Sequence, residues 1–242
     1  MDGKKELGKT KVCFDKWSES YDKSFLNYIL FNRVQKKVKS LLPNLENKRI
    51  LDAGCGTASL IINLSRKNPN SDFVGVDVSK GMLEKARKKA QGLENLTLLM
   101  SEISELSLAE NSFDYIISTI SFHHWPKQEE SLKKLHGFLK PKGKLIIADL
   151  STFLFGGPGT VKKYSPSEMR ELFLKTGFKN IEQTSATNTG KYGYVSMSAG
   201  IPLAAYGIAT GNPIGYFSSL LFAGGFILSM PDLISKITIG EK

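Results

Sequence analysis

The chain has 242 residues, 41% hydrophobic and 23% charged, with a formal net charge of +10. That length suits one α/β domain with an appendage, and the composition is that of an ordinary globular protein. The charge suits either an anionic partner (nucleic acid, an acidic lipid surface, a phosphorylated substrate) or a solvated lysine-rich surface, and it is uneven: residues 1–49 carry twelve Lys/Arg against six Asp/Glu.

In chain order, Met1–Lys11 is polar and lacks the apolar core of a signal peptide. The two cysteines, Cys13 and Cys55, have no metal-ligand spacing and make no disulfide framework. A reducing cytoplasm therefore fits, and no metal is expected. From residue 49 onward the chain alternates strand-like and helix-like segments, the pattern of βαβ units and a parallel sheet. Arg49–Ala53 reads as a buried strand, and Thr57–Lys67 follows with Leu60, Ile61 and Leu64 at helical spacing. Asp72–Val78 is the second strand. Ser79 caps the next helix, whose Met82, Leu83 and Ala86 make an apolar stripe. Leu96–Met100 and Phe113–Ser121 are strands three and four, Glu129–Leu139 is a helix stopped by Pro141, and Lys144–Leu150 is strand five. Ser165-Pro166 opens a helix that Gly177 ends. Lys179–Thr187 and Tyr194–Ser198 are the last two strands, joined by a turn around Asn188–Gly190.

The sharpest local signal is Asp52-Ala53-Gly54-Cys55-Gly56, where a strand runs into two glycines and a helix opens. Glycines there let a ligand approach the backbone, and the helix start offers free N–H groups. A dinucleotide fingerprint would want glycine at position 59, which is Ser59. The carboxylate of Asp52, two residues before Gly54, would repel a pyrophosphate but suits an ammonium or sulfonium group. Asp77 ends the second strand, where Rossmann-like folds place an acid for ribose hydroxyls. Glu102, after strand three, can accept from an adenine amino group or stand as a solvated surface acid.

Four segments, ILDAGCGTA, VGVDVSKGMLEKAR, ENSFDYIIS and LKPKGKLIIADL, occur in this order. Together they resemble the signature motifs of class I S-adenosylmethionine-dependent methyltransferases, and within them the methyltransferase type 11 or quinone- and lipid-methyltransferase-like group. The resemblance runs from about residue 12 to about residue 200. It implies an α/β, Rossmann-like, mostly parallel sheet of seven strands in the order 3-2-1-4-5-7-6, with the last antiparallel. It also implies an N-terminal helical cap over 1–45 and a cofactor-binding domain over 46–202; the residues beyond, 203–242, read by composition as a hydrophobic tail. On the same analogy S-adenosyl-L-methionine is the cofactor. Asp52, Gly54 and Gly56 would hold its methionine end, Asp77 and the adjoining Val78 its ribose, and Glu102 with Ile103 its adenine. Ser118 or Thr119 would line the methionine pocket, and Tyr21 of the Tyr21-Asp22 pair would lie near the methionine moiety. Ala58 departs from the family, where a third glycine is common; being small, it is expected to matter little.

A sulfonium methyl is already activated, so the enzyme needs to align an acceptor and, where the acceptor requires it, remove a proton. The candidate bases are His123 and His124, after strand four; each can equally be a polar loop residue. Phe122 and Trp125 either floor an acceptor pocket or belong to the core. The Asn-Pro-Pro-Tyr motif of adenine-amino methyltransferases is replaced by Ser118-Thr119-Ile120-Ser121, and no nucleic-acid partner is expected. The Arg-Asn pair associated with quinone C-methylation is replaced by His123-His124-Trp125, which speaks against a quinone acceptor.

The tail is unusual. Residues 192–231 are forty consecutive positions without Asp, Glu, Lys, Arg or His. Within them Pro213–Met230 would span ~27 Å as a helix at ~1.5 Å per residue, close to a bilayer's hydrocarbon core. The leading expectation is a small lipophilic acceptor (isoprenoid, quinone-like or phospholipid) met at a membrane through residues 201–236, with the protein in the cytoplasm or held at the membrane's cytoplasmic face. Arg33, Lys36, Lys37 and Lys39, on a helix with Leu26, Ile29, Leu30 and Val34, would add attraction to anionic headgroups, unless that helix is a cofactor lid with a solvated face. One alternative is an enzyme for a small polar metabolite whose tail joins a homo-oligomer. The other is a non-catalytic binding module at a membrane.

Overall fold

Neighbouring residues of the first strand part company, as the two-residue period of a strand requires. Ile50 joins one buried cluster, and Leu51 and Ala53 join the other. The sheet therefore has a core on each face. The computed structural model describes Asp15 and residues 25–150, 161–185 and 235–242. Along the chain come α1 (Phe25–Leu41), β1 (Arg49–Ala53), α2 (Ser59–Lys67), β2 (Asp72–Asp77), α3 (Lys80–Lys89), β3 (Leu96–Met100), β4 (Phe113–Thr119), α4 (Gln128–Phe138), β5 (Leu139–Leu150), α5 (Pro166–Lys175), β6 (Lys179–Ser185) and β7 (Ser235–Glu241). Short 3-10 turns, Ile103–Glu105 and Phe122–His124, follow β3 and β4.

The sheet order is β3-β2-β1-β4-β5-β7-β6, as the family resemblance implies. The pairs among β1 to β5 are parallel, and β7 runs antiparallel to both β5 and β6. The expected Ser79 cap forms, and the expected helix start at Ser165 is capped as well. The Ser79 hydroxyl accepts from Met82 N–H at 3.1 Å, and Ser165 makes a capping box with Glu168.

Of the boundaries that differ from expectation, three exceed a shift of an end by one or two residues or have a clear backbone cause. Helix α2 starts at Ser59 rather than Thr57, because Ala58 sits in the left-handed region at φ 59. Strand β5 starts at Leu139, directly after α4, and bulges around Pro141–Gly143, so the register jumps from Phe113↔Leu139 to Tyr115↔Lys144. The largest difference is β7. The strand expected at Tyr194–Ser198 lies outside the described residues, and the sheet is completed by Ser235–Glu241, which had been expected within the tail. Ile237 and Ile239 enter the same buried cluster as Ile146 and Ala148, which fixes the register of this strand. Of the segment expected at a membrane, residues 201–234 lie outside the described residues, while Ser235 and Lys236 pair with Leu150 and Asp149.

Helix α1 packs onto the sheet through one face. Val34, Val38, Leu42 and Leu45 are buried, in the cluster that also holds Leu60 and Ile61 of α2. Lys39 donates to Asn63 Oδ1 at 2.9 Å; burial, and then the nearby Lys67, hold its ammonium below the usual lysine range. Among the described residues no helix is long and apolar enough to cross a membrane.

Candidate active site

The bend after β1 is held by backbone alone. Gly54 and Cys55 both donate to Val76 O, at 2.8 and 2.9 Å. Gly54 and Gly56 have φ of 77 and 55, conformations that L side chains rarely adopt. At Gly54 there is also no room: an added Cβ would lie 1.8 Å from Ser121 Oγ. The turn after β4 thus rests on the glycine bend, and Trp125 Nε1 donates to the same Ser121 Oγ at 3.1 Å. At Gly75 an added Cβ would come within 3.1 Å of Cys55 Sγ. Cys55 is a packing thiol, pushed well up by burial and then by the Asp77 and Asp52 carboxylates.

Two acids flank the bend. Asp77 is half-buried and accepts Gly56 N–H at 2.8 Å on one oxygen and Ser79 N–H at 2.9 Å on the other, tying the bend to the start of α3. Burial pushes its carboxyl up against the pull of those N–H groups. Asp52 is 1% exposed, and its Oδ1 has no hydrogen-bond partner among the described residues. Burial first, and Asp77 second, push its carboxyl up to about 8. A buried carboxylate oxygen left without a donor is expensive unless a cation or donor arrives. That vacancy of partners, beside a bend made of bare backbone, fits the positively charged end of S-adenosylmethionine.

The wall facing the bend comes from β4 and β5. Ser118 is fully buried and its Oγ lacks a partner among the described residues. Ile120 takes φ 50, an outlier for a β-branched residue, and its N–H donates to Ala148 O at 2.7 Å. Such strain, about 1–3 kcal/mol, persists only where surrounding contacts impose it. The clamp here is Asp149, at the end of β5: its Oδ2 accepts His123 N–H at 2.7 Å and its Oδ1 meets His123 Nδ1 at 2.6 Å. The His123 and His124 rings are 3.9 Å apart. Phe122 and Trp125 are core residues, packed edge-on at 5.1 Å.

The expected residues divide accordingly. Asp52, Gly54, Gly56, Asp77, Val78 and Ser118 gather at the ends of β1, β2 and β4. Glu102, half-buried, accepts from Ser104 Oγ at 2.6 Å beside the buried Ile103, at the end of β3. His123 and His124 lie on the β4–β5 side. Tyr21 lies outside the described residues. From the N-terminal arm the structure gives Asp15, whose Oδ1 accepts from Ser79 Oγ at 2.5 Å and from Gly81 N–H at 3.0 Å. Asp15 and Asp149 were not anticipated as site residues, nor was the contact of Ser121 with the glycine bend. Their partners are 64, 26 and 67 positions away in sequence, and no local spacing signals such contacts.

The chain matches the family model described as a methyltransferase domain over residues 44–200, more than half of its length. It is 27% identical over 219 residues to a demethylmenaquinone methyltransferase of Staphylococcus carnosus, covering 76% of this chain and 90% of that protein. It is 30% identical over 148 residues to one from Listeria welshimeri, covering 59% of this chain and 63% of the relative, so this alignment spans less than two thirds of that protein. Its backbone is similar to a phosphoethanolamine N-methyltransferase from Haemonchus contortus solved with phosphomonomethylethanolamine and S-adenosylhomocysteine, at TM-score 0.64 and 18% identity, covering 94% of this chain and 58% of that one. At that identity the likeness concerns the fold.

Proposed function

Because this chain belongs to the methyltransferase domain family and is an S-adenosylmethionine-dependent methyltransferase, we propose that it methylates a lipophilic, quinone-like acceptor at a membrane surface. The bound cofactor supplies a methyl group activated on a sulfonium. Asp52 and the backbone of Gly54 and Gly56 hold the cofactor's cationic end, with the Ser118 hydroxyl turned to the same pocket. Asp77 and Val78 serve its ribose, and Glu102 and Ile103 its adenine. His123 or His124 removes a proton from the acceptor.

The acceptor reading rests on one structural observation. Ser185 and Ser235, which flank the uncharged residues 192–231 in sequence, lie at the sheet edge where β5 ends: Ser185 pairs with Lys236 and Ser235 pairs with Leu150. That edge also carries Asp149 and the His123 turn. The forty uncharged residues 192–231 lie in sequence between Ser185 and Ser235, and we take them to serve a lipid-borne substrate. The names of the two bacterial relatives point to the same substrate class. The missing Arg-Asn pair is then a change of catalytic group, with a histidine in its place, and not a change of acceptor class.

The test is methyl transfer from labelled S-adenosylmethionine to short-chain demethylmenaquinol in anionic phospholipid vesicles, with the full chain sedimented alongside the vesicles. Label in the quinol fraction and protein in the vesicle pellet are expected. Label passing only to water-soluble acceptors, with the protein left in the supernatant, would overturn the proposal.

A further inference from the structure

We infer that Asp149 is the positioning residue of a His123–Asp149 dyad whose free imidazole nitrogen takes the acceptor's proton, so that the acceptor is one that must lose a proton to be methylated. The inference rests on the methyl-transfer reading above and narrows its substrate class to phenols, enols and hydroquinones.

The geometry is specific. His123 and Asp149 are 3% and 5% exposed, and both carboxylate oxygens of Asp149 are directed at His123, one to its backbone N–H and one to Nδ1. A carboxylate accepting at Nδ1 requires the proton on that nitrogen, which leaves Nε2 as the acceptor in the neutral ring. No hydrogen bond from Nε2 occurs among the described residues, whereas Nδ1 and the backbone N–H are both bonded. Titratable groups beside the pair among the described residues include His124, its ring tilted against that of His123 at 3.9 Å, and Lys163, whose charge acts on Asp149. The dyad sits two residues beyond Ser121, the residue pressed against Gly54. It therefore stands on the acceptor flank of the cofactor bend.

A purely structural clamp would need one carboxylate oxygen on the backbone N–H of this strained turn. The second oxygen, spent on the ring, fixes a tautomer and an orientation, and it steadies the imidazolium that forms on proton uptake. The chemistry balances with a hydroquinone. Its O–H bond breaks and the proton goes to His123 Nε2. The electron pair left behind, delocalised onto the ring carbon, forms the bond to the methyl carbon as the carbon–sulfur bond breaks with its pair on sulfur. The ring hydrogen then moves by way of water to the oxygen, restoring the aromatic ring, and His123 passes its proton to solvent.

The experiment compares full-length wild type with Asp149→Asn, Asp149→Glu, His123→Gln and His124→Gln, using labelled S-adenosylmethionine with demethylmenaquinol and with simple phenols as acceptors. Loss of a positioned base lowers the rate by about 10²–10⁴-fold. That loss is expected in kcat for His123→Gln and Asp149→Asn, with acceptor KM and calorimetric cofactor affinity within about threefold of wild type and with part of the activity restored in Asp149→Glu. The pH dependence of kcat should flatten in His123→Gln and persist in His124→Gln. If Asp149→Asn lowers Tm but leaves kcat and its pH profile intact, Asp149 only pins the turn and the inference fails. Two-bond ¹H–¹⁵N spectra of the wild type decide independently of any acceptor: a neutral His123 ring protonated on Nδ1 supports the dyad, and one protonated on Nε2 refutes it. Failure with the quinol combined with transfer to another phenol would remove the quinone reading and keep the dyad. Transfer only to acceptors without an ionisable proton would remove the dyad.

Discussion

Two acids at the C-terminal edge of the sheet, Asp52 near the end of β1 and Asp149 near the end of β5, are almost equally buried and differ in one respect. Asp149 has both oxygens bonded to His123, whereas Asp52 keeps an oxygen with no partner among the described residues. A satisfied buried carboxylate rigidifies what it touches, and an unsatisfied one is a reservoir of unfavourable energy that a ligand can release. The β1–β2 half is thus built to be completed by a cation, and the β4–β5 half to hold its own side chain in one orientation. Beyond the β1–β4 strand pairing, the halves meet at the bend in a close contact, Gly54 against Ser121.

Breaking that contact should have the largest effect. Gly54→Ala places a methyl within 1.8 Å of Ser121 Oγ at φ 77. A left-handed alanine costs about 1–2 kcal/mol and overpacking about 1–3 kcal/mol, so a loss of about 2–5 kcal/mol is expected by denaturant titration, with cofactor binding abolished. Adding Ser121→Gly should return the steric part and leave the backbone part. If the double variant is no more stable than the single one, the halves are not coupled through this contact.

The difference between the two acids also has a pH signature. The Asp52 carboxyl lies at about 8 in the folded chain, against about 3.9 when unfolded. Its contribution to apo stability is therefore full below about pH 4 and is lost as pH rises toward 8. A cationic ligand favours the ionised form, so S-adenosylmethionine should expel close to one proton on binding at pH 7, and its Kd should tighten by up to about tenfold per pH unit between pH 6 and 8. Calorimetry in buffers of different ionisation enthalpy measures this directly. Asp52→Asn should abolish the proton release, weaken binding and raise the apo Tm at pH 8. Binding without proton release and with pH-independent Kd would mean that Asp52 is already ionised or does not meet the cation.

How far the sequence speaks follows the same division. The glycine bend, Asp52 and Asp77 are legible because strand, bend and helix are consecutive, and a carboxylate two residues before a glycine has few other uses. The sheet order is legible because four motifs in sequence imply it. The seventh strand is not legible: Ser235–Glu241 is a short alternating run lying beyond forty uncharged residues, and only its pairing with β5 and β6 identifies it. The same holds for Asp149, which in sequence is merely the end of an apolar strand and acquires meaning when the turn of Ile120 brings His123 over it.

The smallest effect concerns Ala58, where a size argument misses the relevant variable. Ala58 fits its site sterically and is fully buried, yet it holds φ 59 at the start of α2. Glycine would relieve about 1–2 kcal/mol of left-handed strain, offset by about 0.4–1 kcal/mol of unfolded-state entropy and by the loss of one buried methyl, about 0.8 kcal/mol. Ala58→Gly should therefore change stability by less than about 1 kcal/mol in either direction by thermal unfolding. It should leave cofactor affinity within about twofold, since the bend is fixed by Gly54 and Cys55 on Val76 O and by Gly56 on Asp77. A shift in affinity larger than tenfold would show that the start of α2, and not only the bend before it, sets the geometry of the cationic pocket. The contrast between the two halves would then have to be redrawn around the helix.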